Sequence, residues 1–174
     1  MILLAVDLQK GLTDDELYDR DRILERAACL MDAARKNHVE VIHFRHDAGP
    51  GSGFSVGDSG FEFADQAAPE KGEKTFIKTI NSCFGNREFT EYMERQEDKR
   101  LMIIGLQTNF CIDATVKSAF ERGYEVIIPE GTNSTFDNDF MDSKTTCRYY
   151  FEEIWPDCFA DCVTFDEAME MIAG

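Results

Sequence analysis

"GLQTNFCIDATVKSAFERGY", residues 105–124, continues the apolar run "RLMIIGL" at 100–106. The run reads as a buried strand. Thr108 or Asn109 can then cap a helix over 109–122, which Gly123 ends as its C′ residue. "YEVIIPE" at 124–130 reads as the next strand. A strand, a crossover helix and a second strand make a βαβ unit, which requires parallel pairing. Cys111 falls in the first turn of that helix. The helix dipole and free N–H groups there favour an anion, so the thiol pKa is expected to fall and the thiolate to act as a nucleophile. The same N–H groups can hold an oxyanion. The competing reading makes Cys111 a small buried hydrophobe, and position alone leaves both open.

The same alternation extends along the chain. Residues 1–7 read as a strand and about 19–37 as a helix with Ile23, Ala27, Leu30, Met31 and Ala34 on one face. "HVEVIHFRH" (38–46) alternates as a strand, 47–74 is a Gly-rich loop, and "TFIK" (75–78) is a short strand. A helix is expected over 86–96, another over about 137–152, a strand over 159–164 and a closing helix after it. No repeat, low-complexity tract or linker interrupts the pattern, so residues 1–174 are expected to form one domain. The predicted fold is α/β: three layers, a doubly wound and mostly parallel sheet, helices on both faces, with Rossmann-like topology. Sites in such sheets lie at the carboxyl ends of strands. Asp7, Lys78 and Cys111 fall there.

Composition narrows the function. A net charge of −16 repels phosphate backbones and anionic lipid, so neither nucleic acid nor membrane is an expected partner. The apolar start, "MILLAVDLQK", lacks a basic segment and is interrupted by Asp7, so it reads as a strand and not as a signal peptide. None of the six cysteines forms a CxxC pair, and their spacing suggests no disulfide framework. Reduced thiols in a cytoplasmic protein are expected.

A carboxylate at the end of "ILLAVD" is costly if buried alone. Asp7 is either an anchor for the following loop or a general base beside a nucleophile. Lys78 is either a solvated strand-end lysine or an ammonium that stabilises both an ionised Asp7 and a thiolate.

Taken in order, the segments resemble a known family. "AVDLQKG" resembles the opening D-x-Q segment of the isochorismatase-like cysteine hydrolases, "FIKTINSCF" their lysine segment, and "IIGLQTNFCIDATVKSAFERGYEVIIPEG" their nucleophile segment. "FEEIWPDCFADCVTFDEAM" is similar to the family's C-terminal end. The resemblance implies a metal-free amidohydrolase with an Asp–Lys–Cys triad at Asp7, Lys78 and Cys111. It also implies a non-proline cis peptide at Leu106–Gln107 and an oxyanion hole at the backbone N–H groups of Gln107 and Cys111. The implied reaction is cleavage of a small amide or carbamoyl C–N bond through a thioester, in a homo-oligomer.

The chain departs from the nicotinamidase branch, which carries an Asp-x-His metal motif after the second strand. Here the segment is "HFRHDAGPGSG". His43 and His46 are three apart on a strand and point to opposite faces. His46 and Asp47 have no third nearby histidine, since His38 is the only other one. No metal and no cofactor are expected. "GPGSG" reads as a flexible turn, because it lacks the spacing of a phosphate-binding loop. Phe54, Phe61, Phe84 and Phe110 are candidate pocket walls, each with a packing role as its alternative. Gln9, Asn109 and Asn133 are candidates to orient a polar substrate or to pin loops. Two other classes stay open: a thiol-based redox or glyoxal-handling protein, for which Cys83 is the candidate resolving cysteine, and a non-catalytic interaction module.

Overall fold

The computed structural model describes residues 1–174. β1 (Ile2–Val6) lies between β2 (Glu40–His46) and β4 (Arg100–Leu106). β3 (Lys74–Lys78) adds outside β2, β5 (Glu125–Pro129) outside β4, and β7 (Asp161–Val163) outside β5. The order is therefore β3-β2-β1-β4-β5-β7, and every pair is parallel. β6 (Asn133–Ser134) pairs with the end of β4 alone. Two residues carry no period-2 pattern, which is why this strand has no signature in the sequence.

Alternation along the strands builds two cores. Ile2, Leu4, Val6, Leu101 and Ile103 face one side of the sheet, where they pack with Phe89 and Met93 of α2 (Arg87–Glu94) and Val116 and Ala119 of α3 (Asp113–Glu121). Leu3, Ala5, Met102 and Ile104 face the other side. They meet Leu24, Ala27, Leu30 and Met31 of α1 (Arg20–Lys36) and Ala168 and Ile172 of α5 (Phe165–Ala173). The three predicted layers are present. No helix is long and apolar enough to cross a membrane.

The helix expected over 137–152 begins later, as α4 (Ser143–Tyr149) followed by a π-helical turn at Tyr150–Ile154. Short polar side chains take the backbone donors that an earlier helix would need. Asn138 accepts from the N–H groups of Phe140 and Met141, Asp137 from Ser143, and Asp142 caps the helix by accepting from Thr145. The helix expected over 109–122 is likewise split, into a π-helical turn at Thr108–Ile112 and then α3.

Chain order reverses between β1 and β4, so the crevice of this sheet opens at their carboxyl ends. Gly105 lets the two strands close there. Its φ is +121°, and a Cβ would lie 1.9 Å from the Val6 carbonyl oxygen. Asp7 itself has φ +53°, a left-handed conformation uncommon for residues with a side chain, though less so for aspartate. The turn it makes ends β1 and fixes where its carboxylate goes.

Candidate active site

Three strand ends deliver the polar residues of the crevice. Asp7 follows β1, His46 and Lys78 close β2 and β3 as directly paired residues, and Cys111 lies in the π-helical turn after β4. The Lys78 ammonium is the hub. Nζ donates to Asp7 Oδ2 at 2.6 Å, to Cys111 Sγ at 3.1 Å and to His46 Nδ1 at 3.2 Å. All three of its protons are thereby used. The Lys78 and Asp7 side chains are fully buried. Asp7 Oδ1 is also buried and has no hydrogen-bond partner.

Burial dominates the electrostatics. It raises the Asp7 pKa above the ordinary carboxylate value, with Lys78 opposing. Burial also works against the Lys78 charge, but Asp7 and the neighbouring thiols outweigh it, so the ammonium is held more firmly than in water. The Cys111 thiol is pushed up to about 12, by burial first and by Asp7 second. This reverses the expectation of a lowered thiol pKa. Cys111 is only 8% exposed, and desolvation of the thiolate, together with Asp7, outweighs Lys78. The resting state pairs a neutral thiol with an ammonium.

His46 has a lowered pKa, through burial and then through Lys78. Accepting from Lys78 at Nδ1 places its remaining proton on Nε2, which has no partner within the chain. From the sequence alone, His46 stands out only as a metal ligand beside His43 or Asp47. Its carboxyl-end position opposite Lys78 was the available signal. His43 does face the other way, toward Glu73 Oε2 at 2.8 Å. Asp7, His46 and Cys111 each offer one ligand atom, and these lie within 4.8 Å of one another. The Lys78 ammonium contacts all three residues and already supplies a positive charge among them.

A cavity of about 220 Å³ opens onto this cluster, lined by Leu12, Ala48, Phe54, Asn81, Gln107 and Phe110 beside Asp7, His46 and Cys111. Phe54 stacks on the His46 ring with centroids 6.3 Å apart. Asn81 Oδ1 lies 3.8 Å from Cys111 Sγ. The peptide bond between Leu106 and Gln107 is cis, and the Gln107 N–H has no acceptor within the chain.

The other candidate wall and orienting residues lie elsewhere. Phe84 is in the core against Phe89 and Tyr124. Phe61 is buried beneath the Arg45 guanidinium. Gln9 pins the loop: its Oε1 accepts from the His46 N–H at 2.7 Å, and its Nε2 donates to the carbonyls of Phe61 and His46. Asn109 Oδ1 accepts from Thr135, and Asn133 Oδ1 from Thr108. Cys83 is wholly buried, its N–H donating to Thr115. A thiol so enclosed is poorly placed to resolve an oxidised Cys111 at the cavity.

A family model for the isochorismatase domain matches residues 1–162. Among curated proteins, the streptothricin hydrolase of Streptomyces noursei is 26% identical over 78% of this chain and 54% of that protein. The chain thus spans about half the length of the streptothricin hydrolases it matches. The ureidoacrylate amidohydrolase RutB of Agrobacterium fabrum is 23% identical over 66% of this chain and 63% of that protein. Among solved structures, an isochorismatase from Pseudomonas putida KT2440 has a TM-score of 0.90 at 24% identity, covering 95% of this chain and 88% of that one.

Proposed function

Since the chain belongs to the isochorismatase family, we propose that it is a cysteine hydrolase cleaving an amide or carbamoyl C–N bond of a small molecule. One observation carries the reading. Lys78 ties Asp7 and Cys111 into one buried cluster, while Asp7 Oδ1 stays without a partner. A carboxylate with a raised pKa, beside the Cys111 thiol and with one oxygen tied to no nitrogen or oxygen donor, is a ready proton acceptor.

With its pKa at about 12, the thiol is almost wholly protonated at neutral pH. Proton transfer to Asp7 must therefore accompany attack. Asp7 takes the Cys111 proton, and sulfur bonds to the carbonyl carbon. The oxyanion is held by the Gln107 and Cys111 N–H groups. Asp7 returns the proton to the leaving ammonia or amine as the C–N bond breaks, which leaves a thioester. Water then gives a proton to Asp7 and attacks the thioester. The acid is released, and the Asp7 proton goes back to sulfur. Lys78 keeps one positive charge beside whichever of the two groups is anionic. Each oxyanion donor is worth about 3–4 kcal/mol, and the acid–base work about 10² to 10⁴ in rate. Phe54 and Phe110 wall the substrate site. The whole of 1–174 acts as one domain, and copies assemble as a homo-oligomer.

The test is intact-mass spectrometry after incubation with small amides, ureas and carbamoyl compounds. An acyl or carbamoyl adduct confined to Cys111, and absent in Cys111→Ala, is expected. Turnover of a substrate that survives in Cys111→Ala would refute the mechanism.

A further inference from the structure

We propose, building on that reading, that the cavity selects an uncharged or cationic substrate and rejects one that carries a carboxylate or other acidic group. A site that binds a substrate carboxylate supplies a free cation in addition to the N–H groups that hold the reacting carbonyl oxygen, because burying an anion without a counter-charge is costly. This cavity has no such cation. Its lining contains no arginine, and no lysine beyond the buried Lys78 behind Asp7 and Cys111, whose three protons are committed. His46 adds no charge, since it accepts from an ammonium at Nδ1. It offers one Nε2–H, a donor suited to a neutral carbonyl or amide oxygen.

The surroundings act in the same direction. The segments that leave the carboxyl ends of β1, β2 and β5, residues 7–19, 47–73 and 130–142, hold two basic residues, Lys10 and Lys71. Lys10 is paired with Asp65 at 2.9 Å. The same segments carry Asp14, Asp47, Asp58, Asp137 and Asp139 among their acids, beside Asp15, which is paired with Arg20. Residues 79–86 and 107–112 hold no charge. Arg45, the last cation of β2, lies over the Phe61 and Phe63 rings with Glu62 at 3.8 Å, and does not line the cavity. A negative rim around a low-dielectric cleft repels anions on approach and concentrates cations, with rate effects of about 10 to 10³. Phe54 and Phe110 line the cavity, and aromatic rings are surfaces on which a cation is tolerated.

The experiment reads the rate at which Cys111 is modified and needs no substrate. Three methanethiosulfonates are used, carrying a trimethylammonium-ethyl, a methyl or a sulfonatoethyl group. Each rate is divided by that reagent's rate with 2-mercaptoethanol, and the modified peptide is located by mass spectrometry under non-reducing conditions. At low salt the cationic reagent should modify Cys111 at least about tenfold faster than the anionic one, with the neutral reagent between them. Raising the salt to about 0.5 M should narrow the ratio by screening the rim, but leave a preference from the missing counter-charge inside. A ratio of one or below at low salt, with the neutral reagent still reacting, would overturn the selectivity and leave the hydrolase reading standing. Failure of all three reagents to reach Cys111 would remove the reactive cysteine and overturn both.

Discussion

Replacing Lys78 by methionine isolates the charge at the centre of the cluster. Methionine keeps most of the length of the side chain and removes the ammonium. Asp7 is then a fully buried carboxylate with only the weak Cys111 thiol donor beside it, because Oδ1 has no nitrogen or oxygen partner and Oδ2 loses the donor at 2.6 Å. Breaking a buried ion pair from one side costs about 3–5 kcal/mol. At about 2–4 °C per kcal/mol for a chain of this length, the melting temperature at pH 8 should fall by about 6–20 °C. The pH dependence gives the sign. The folded-state pKa of Asp7 is already raised by burial, and loss of Lys78 raises it further. Above the unfolded value of about 3.9, the folded variant holds a proton that the unfolded chain releases, so its stability falls as pH rises. The gap to wild type should be small near pH 4.5 and widen steadily to pH 8. Hydrolysis should fall by about 10² to 10⁴, because a protonated Asp7 cannot accept the thiol proton. The assay is thermal unfolding followed by circular dichroism at several pH values, with turnover measured on the same samples. A melting temperature within 2 °C of wild type at pH 8, or a gap that narrows as pH rises, would refute the reasoning and make Lys78 a solvated strand-end lysine.

Cys111→Ala should keep its fold by circular dichroism and lose hydrolysis; retention of a tenth of wild-type turnover would remove the cysteine from the mechanism. Prolonged chelator treatment should leave turnover unchanged, because the Lys78 ammonium already supplies a positive charge among Asp7, His46 and Cys111; loss on chelation with recovery on added zinc or iron would contradict this. Gly105→Ala should not give a stable fold, since its Cβ would lie 1.9 Å from the Val6 carbonyl oxygen at a φ of +121°; a melting temperature close to wild type would show that β1 and β4 can separate without penalty. Phe140 is 93% exposed and Val56 63%, apolar surface of the kind that subunit contacts cover; light scattering at micromolar concentration should report more than one chain per particle, and a monomer mass would refute the assembly.

Much of the architecture lies in local patterns that the sequence carries alone. The apolar run 100–106, the Gly123 stop and the next run at 124–130 require a crossover, and a crossover requires parallel pairing. Parallel pairing then puts Asp7, Lys78 and Cys111 at one edge of the sheet, because residues that end parallel strands must share an end. Periodicity says nothing about how far apart they are, how dry their surroundings are, or which neighbours complete them. Those depend on backbone closure at Gly105 and on loops that cross the sheet edge. Only the folded chain turns Phe84 into the core and Phe54 toward the cavity, although both are phenylalanines in irregular segments. Only the folded chain brings the His46 Nδ1 to Lys78, which fixes its tautomer. The sign of the Cys111 shift is hidden from the sequence for the same reason. A helix end is a local feature and can be read from residues 105–124. Desolvation is a sum over everything packed around the sulfur, and here, with Asp7, it outweighs the Lys78 charge.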